Sequence, residues 1–227
     1  MTIGSIKNYV IKNNTISAYR PYSVEYIVVG GGSGGAVVAG YTLRGGAGGA
    51  VQSGTAVVYG ANTYNVVVGG GGSNYNGNGN PSSVFSVTAA GATATNINFT
   101  AKGGKADNGA IDTTTLNGAD GVASSISGSS YQYGAGGGGT QYTNPTYTYG
   151  TGGVSGGGNA PGGNGTANSG GGAASGNSGT GVGGSGVVII RTPDTYPIFA
   201  TTGSPTITTA GGYRVYKFTG SGSITPL

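Results

Sequence analysis

The sequence predicts an all-β and irregular fold, in which short β-strands frame a sandwich of glycine-rich polyproline-II helices with essentially no α-helix. Three observations carry this expectation. Glycine supplies 54 of the 227 residues and proline only 8, whereas glycine ordinarily contributes roughly 7%. No segment sustains the i, i+3, i+4 apolar spacing of an amphipathic helix, because Gly and β-branched residues recur every few positions. Short segments rich in Val, Tyr and Phe are bounded by Gly, Asn or Pro, which is the pattern of strands.

The strand segments are residues 24–29 (VEYIVV), 56–59, 63–68, 83–88, 187–191 and 213–218. Residues 56–59 and 63–68 are separated by Gly60-Ala61-Asn62, a length and composition that predict a hairpin between them. Placed side by side, VEYIVV and GVVII would clamp both ends of the glycine-rich region, with roughly 1.5–3 kcal/mol for each buried Val or Ile.

Between the strands lie glycine tracts at residues 30–35, 45–49, 69–72 and 134–186, the last with 23 glycines in 53 residues. A random-coil linker is one reading, yet so long a structureless insertion is unusual inside a compact domain. Polyproline-II helices are the other. They have three residues per turn and no internal hydrogen bonds, so their amides must pair with neighbouring helices. Without Cβ atoms the backbones approach closely and add Cα–H···O contacts. Every third residue from Gly150 is biased towards Gly but interrupted, which favours several short helices joined by turns over a collagen triple helix. Ordering a backbone costs about 1–2 kcal/mol per residue, and these tracts have few side chains to bury. The helices therefore need one another and the strands, and the expectation is cooperative order.

Charge and composition narrow the chemistry. Nine basic and five acidic residues give a net charge of +4, but the basic residues are scattered and form no phosphate-tracking stripe, so nucleic acid is not an expected partner. The chain has neither His nor Cys, which removes Ser-His-Asp and Cys-His machinery and soft metal sites. No catalytic residue, metal or cofactor is expected. The acids are Glu25, Asp107, Asp112, Asp120 and Asp194. Asp107, Asp112 and Asp120 sit in a Gly/Thr/Asn-rich stretch and read as turn formers, without the spacing of a calcium loop. Gly30, Gly32 and Gly35 match a dinucleotide fingerprint after a strand, but no acid follows before Asp107 and no helix is expected. No apolar run approaches the roughly 20 residues of a membrane helix, and no secretion signal is read at the N-terminus. Membrane insertion is not expected.

One segment points to recognition. In SSYQYGAGGGGTQYTNPTYTYG, Tyr131, Tyr133, Tyr142, Tyr147 and Tyr149 alternate with small polar residues. Tyrosine among Ser, Gly and Asn is the chemistry of an adaptable binding surface, offering apolar faces and hydroxyls at low entropic cost, and saccharides suit such faces. An equal reading is that these rings cover the glycine bundle as its available apolar lid. Tyr75, within Asn74-Tyr75-Asn76-Gly77, is a candidate of the same kind.

The segment VEYIVVGGGSGG (24–35) resembles the opening of the glycine-rich domain of bacteriophage tail-fibre and tail-tip adhesin proteins, and GGSGVVIIR (183–191) resembles its end. Residues 211–225 (GGYRVYKFTGSGSIT) resemble the β unit that in such fibres often precedes a further glycine-rich block. None follows in this sequence, which reads as a terminal or self-contained module. The resulting division is an attachment segment at 1–22, a glycine-rich domain at 23–191 and a small β unit at 192–227. The resemblance implies a non-enzymatic component of the virion tail, assembled in the host cytoplasm. It implies binding to a host surface glycan or outer-membrane protein through the Tyr/Gly-rich loops, with other virion tail proteins as partners and the homo-oligomeric symmetry common among fibres. The alternative is a purely structural virion subunit that connects other tail proteins.

Overall fold

A computed structural model describes residues 20–36, 38–73, 77–94, 106, 115–177 and 181–227. Residues 1–19, within the segment expected to serve attachment, and Tyr75, Asp107 and Asp112 lie outside the described residues. The fold is all-β, with no helix among the described residues. In chain order the strands are β1 (Pro21–Val29), β2 (Val51–Tyr59), β3 (Tyr64–Val66), β4 (Ser82–Val84), β5 (Val87–Ala89), β6 (Val122–Ser124) and β7 (Tyr131–Tyr133). They continue with β8 (Thr140–Thr143), β9 (Thr146–Tyr149), β10 (Val187–Pro193), β11 (Ala200–Thr202), β12 (Thr206–Ala210), β13 (Tyr213–Phe218) and β14 (Gly222–Thr225).

The central sheet is antiparallel, in the order β12-β13-β10-β1-β2. VEYIVV and GVVII are neighbours in it, as their sequences predict, with Glu25 opposite Arg191 and Val29 opposite Val187. Alternation sends Tyr22, Val24 and Val28 to one face, where they join Val188, Ile190, Tyr216 and Phe218. The other face receives Ile27, Val29, Val187, Ile189 and Val215. The unbroken apolar run Val187-Val188-Ile189-Ile190 follows from burial on both faces. Val66 of β3, Val84 of β4, Ala89 of β5, Phe199 and Ile224 of β14 cover the first face. Ile126 and Tyr133, from the β6–β7 hairpin, cover part of the second. The C-terminal segment ties back onto the start of β1, where the Tyr22 hydroxyl donates to the Leu227 carbonyl at 2.7 Å.

Two local expectations are corrected. Residues 56–59 and 63–68 do not form a hairpin with each other. β2 pairs with β1, and β3 pairs with β14. The intervening turn carries the chain from the central sheet to the three-stranded sheet β11-β14-β3, with Ala61 at φ 63° and its amide donating to the Pro226 carbonyl at 2.8 Å. The burial won by β1 decides this pairing, because β1 offers β2 a nine-residue partner and β3 offers only three residues. Residues 83–88, read as one strand, form the tight hairpin β4–β5. Its central residues, Phe85 and Ser86, have φ of 51° and 65°, the sign that a primed hairpin turn requires and that Asn-Gly usually supplies. Holding Phe85 there costs about 1–2 kcal/mol. Edge-on contacts of its ring with Tyr64 at 5.3 Å and Tyr26 at 6.1 Å, each worth about 0.5–1.5 kcal/mol, are of that size.

Beyond the sheet, the glycine tracts run as extended segments whose hydrogen bonds are lateral and repeat every third residue. Gly30 and Ser33 donate to Ala50 and Ala47, Gly31 and Gly34 to Asn80 and Gly77, and Gly32 and Gly35 to Gly184 and Gly181, all at 2.9–3.1 Å. Successive amides thus face three different neighbours in rotation, which is the three-residue turn of a polyproline-II helix. The 170–176 tract behaves alike. Gly172 and Ser175 donate to Ala135 and Gly138, while Ala173 and Gly176 donate to Ser33 and Ala36. The bundle grows directly out of the sheet, since β1 runs into 30–36, 45–50 runs into β2 and 181–186 runs into β10. Sheet neighbours stay bundle neighbours, and a third direction opens once side chains cease at Gly30.

Close approach explains the glycines. A Cβ on Gly171 would lie 1.8 Å from the Gly156 carbonyl oxygen, and one on Gly183 would lie 2.1 Å from that of Gly32. Gly171→Ala and Gly183→Ala are therefore expected to cost about 3 kcal/mol or more, or to prevent folding. Gly70→Ala, whose Cβ meets nothing nearer than the Asn80 side chain at 3.6 Å, is expected to stay within about 0.5 kcal/mol of the parent in thermal unfolding.

Candidate recognition surface

The β8–β9 hairpin stands on the bundle through its base. Thr140 is fully buried, exchanges backbone hydrogen bonds with Leu43 at 2.7 and 2.9 Å, and donates from Oγ1 to the Ser175 carbonyl at 3.2 Å. Ser175 Oγ bonds back to Thr140 Oγ1 at 3.1 Å and to the Leu43 carbonyl at 3.3 Å. Buried hydroxyls are tolerable only when bonded in this way.

Above that base, period-2 alternation sorts the side chains. Tyr142 lies opposite Tyr147, and Tyr149 opposite Thr140, so the three rings share one face and Gln141, Thr143, Thr146 and Thr148 share the other. The ring centroids of Tyr142 and Tyr147 are 4.8 Å apart, and Tyr147 and Tyr149 stack at 6.2 Å with 5° between planes. The loop before Leu43 buttresses this ladder. Gly40 N donates to the Tyr147 hydroxyl at 2.9 Å, and Tyr142 N donates to Thr42 Oγ1 at 3.0 Å. Tyr142 and Tyr149 direct their hydroxyls to Asn144 and Asn177. Tyr149 is 41% exposed and Tyr41, between the two buttressing residues, 46%. The result is a rigid aromatic ladder with hydroxyl and amide groups at its margin, suited chemically to stacking on a flat apolar or saccharide face.

Tyr131 and Tyr133 are in a different hairpin. Tyr133 is 2% exposed and packs with Ile27, Ile126, Ile189 and Val215, the covering role that sequence also allows. Tyr131 is half-buried, 5.0 Å from Tyr133 between centroids, and its hydroxyl donates to the Ser155 carbonyl. Burial pushes both phenols above the ordinary value of 10.0, against an opposing side-chain hydrogen bond from Ser169 at Tyr131 and from Ser127 at Tyr133.

Asn and Asp side chains complete the bundle where a backbone acceptor is missing. Thr151 N donates to Asn117 Oδ1, Gly152 N to Asn159 Oδ1, Val154 N to Asp120 Oδ1 and Val182 N to Asn164 Oδ1, at 2.8–3.0 Å. Asp120, expected to form its own turn, instead caps an amide 34 residues away. Glu25 forms an ion pair with Arg191, whose guanidinium lies 4.4 Å above the Tyr213 ring. No group of three metal-ligating side chains occurs among the described residues. The fingerprint-like Gly30–Gly35 segment has its amides taken up by neighbouring tracts. Sequence reading missed Gly40, Thr42 and Asn177, because they reach the hairpin only through lateral packing of distant tracts.

A family model described as glycine-rich domain matches residues 11–193. No curated protein and no solved structure matches the chain.

The buried phenols fix an alkaline limit. Above the ordinary phenol value of 10.0, the unfolded chain releases protons that Tyr131 and Tyr133 still hold in the fold. The native state then binds more protons, and stability falls as pH rises through that range, while it is fully present below it. Thermal melts across this range are expected to show a declining midpoint, and Tyr131→Phe/Tyr133→Phe is expected to flatten the decline.

Proposed function

This chain belongs to the glycine-rich domain family, and we propose that it is a non-enzymatic bacteriophage tail-fibre or tail-tip protein that binds a host surface glycan or outer-membrane protein. The observation that carries this reading is the Tyr142, Tyr147 and Tyr149 ladder, raised on a rigid base of buried Thr140 and Ser175. A preorganised aromatic surface loses little entropy on binding. The paired signatures VEYIVVGGGSGG and GGSGVVIIR, which resemble the ends of the tail-fibre glycine-rich domain, support the virion setting. Tyr133, being buried against the central sheet, has no part in this surface.

A second reading, a structural virion subunit, is favoured by a separate observation. The central sheet ends in β2 and β12, and every residue of β12 is exposed, so its outer edge offers amides and carbonyls to an added strand.

Two measurements separate these readings. Tyr142→Ala/Tyr147→Ala/Tyr149→Ala is expected to weaken binding of the recombinant chain to host cells roughly tenfold or more, with amide-exchange protection of the 170–176 tract retained. Undiminished binding removes the ladder from the receptor surface. On the structural reading, deleting residues 1–19, which leaves β1 intact, is expected to abolish incorporation into particles, and normal incorporation counts against it.

A further inference from the structure

A concavity lies away from the β8–β9 ladder, between the β6–β7 hairpin and the β12–β13 edge of the central sheet. It encloses about 370 Å³, within the range of sites that hold small ligands. Its wall includes Tyr131, Ser129, Asn168, Thr206, Thr208 and Lys217. Register puts Thr206 opposite Lys217 and Thr208 opposite Val215, so Thr206, Thr208 and Lys217 share one sheet face and line the same wall. Across the groove, the Tyr131 ring is held by its hydroxyl bond to Ser155 and its contact with Tyr133. Asn168 has φ of 60°, and its Oδ1 accepts from Ser185 Oγ at 3.2 Å, which leaves the amide N–H groups as donors at the wall.

The charge pattern is one-sided. Among the described residues no acidic side chain lines the groove, and the ion pair found among them, Glu25 with Arg191, borders a different concavity. Among the described residues Lys217 is thus a cation without an acidic counterpart in a wall of hydroxyls, an amide and the rings of Tyr131 and Tyr133. A phosphate dianion or nucleic acid would call for more than one cation or a cluster of backbone amides. A sugar ring matches the aromatic face and the hydroxyls, and a carboxylate on it matches the ammonium.

We propose that this groove binds a carboxylate-bearing sugar residue, with the carboxylate at Lys217, the ring face on Tyr131 and the hydroxyls at Thr206, Thr208 and Asn168. The site stands independently of the ladder on β8–β9, and failure of either assignment leaves the other intact.

Titrating the full chain with glucuronate and with glucose, followed by amide NMR shifts, tests this. Glucuronate is expected to move the resonances of Ser129, Tyr131, Asn168, Thr208 and Lys217, with glucose at least about tenfold weaker. Added salt is expected to weaken glucuronate alone. Lys217→Gln is expected to abolish the preference while retaining a folded spectrum, and Tyr147→Ala to leave it unchanged. Four results overturn the proposal: equal affinity for the two sugars, a preference that survives Lys217→Gln, shifts confined to the Tyr142–Tyr149 hairpin, or no groove shift at about 10 mM glucuronate.

Discussion

Lateral hydrogen bonding between backbones that lack Cβ atoms is the interaction on which this structure depends. In a β-sheet, side chains occupy both faces and leave each strand two hydrogen-bonding directions. In the 30–36 tract the amides turn through three directions, to 45–50, 77–80 and 181–184, and the space a side chain would fill is taken by a neighbour's carbonyl oxygen. Gly32, for example, abuts the carbonyl of Gly171. Each tract satisfies its own polar groups only by satisfying those of its neighbours, which makes the bundle cooperative.

Such a lattice has few apolar side chains of its own, and the central sheet supplies what it lacks. Val28, Val29, Val187, Val188, Ile189 and Ile190 are all fully buried at or near the point where strands pass into tracts. They fix the register of 30–36 against 45–50 and 181–186 at the point where the glycine amides take over the pairing. Serine and threonine then serve inside the bundle where their hydroxyls replace a backbone partner. Ser33 Oγ accepts from Ala47 N at 2.8 Å, and Ser175 joins the hairpin base to the tract beneath it. Alanine is admitted at Ala135, Ala173 and Ala174, each fully buried; the methyl groups of Ala135 and Ala173 lie against Gly156 and Gly181, which have no side chain of their own.

A platform of this kind separates rigidity from surface chemistry. Because the tracts are held largely by backbone atoms, the outward-facing positions of the hairpins that emerge from them can vary in side chain, while inward ones such as Thr140 and Tyr133 remain part of the packing. The β8–β9 hairpin carries tyrosines and threonines, whereas β6–β7 turns its tyrosines inwards against the sheet. Two hairpins of similar composition therefore have different roles, set by whether an apolar sheet face lies beneath them.

Strand-forming segments, lateral pairing of glycine helices and the adjacency of VEYIVV with GVVII were all legible in the residues. Side-chain volume and backbone freedom are local properties, and composition reports them directly. The tyrosine ladder was legible as a cluster, since alternation along Thr146–Tyr149 places Tyr147 and Tyr149 on one face whatever surrounds them. Tertiary structure alone decided which tyrosines are covered, which strand β2 joins, and that Lys217, Tyr131 and Asn168 line one groove. Glycine carries no side chain to encode a partner, so the choice of neighbour is fixed by the packing of the whole bundle and leaves no mark on any single segment.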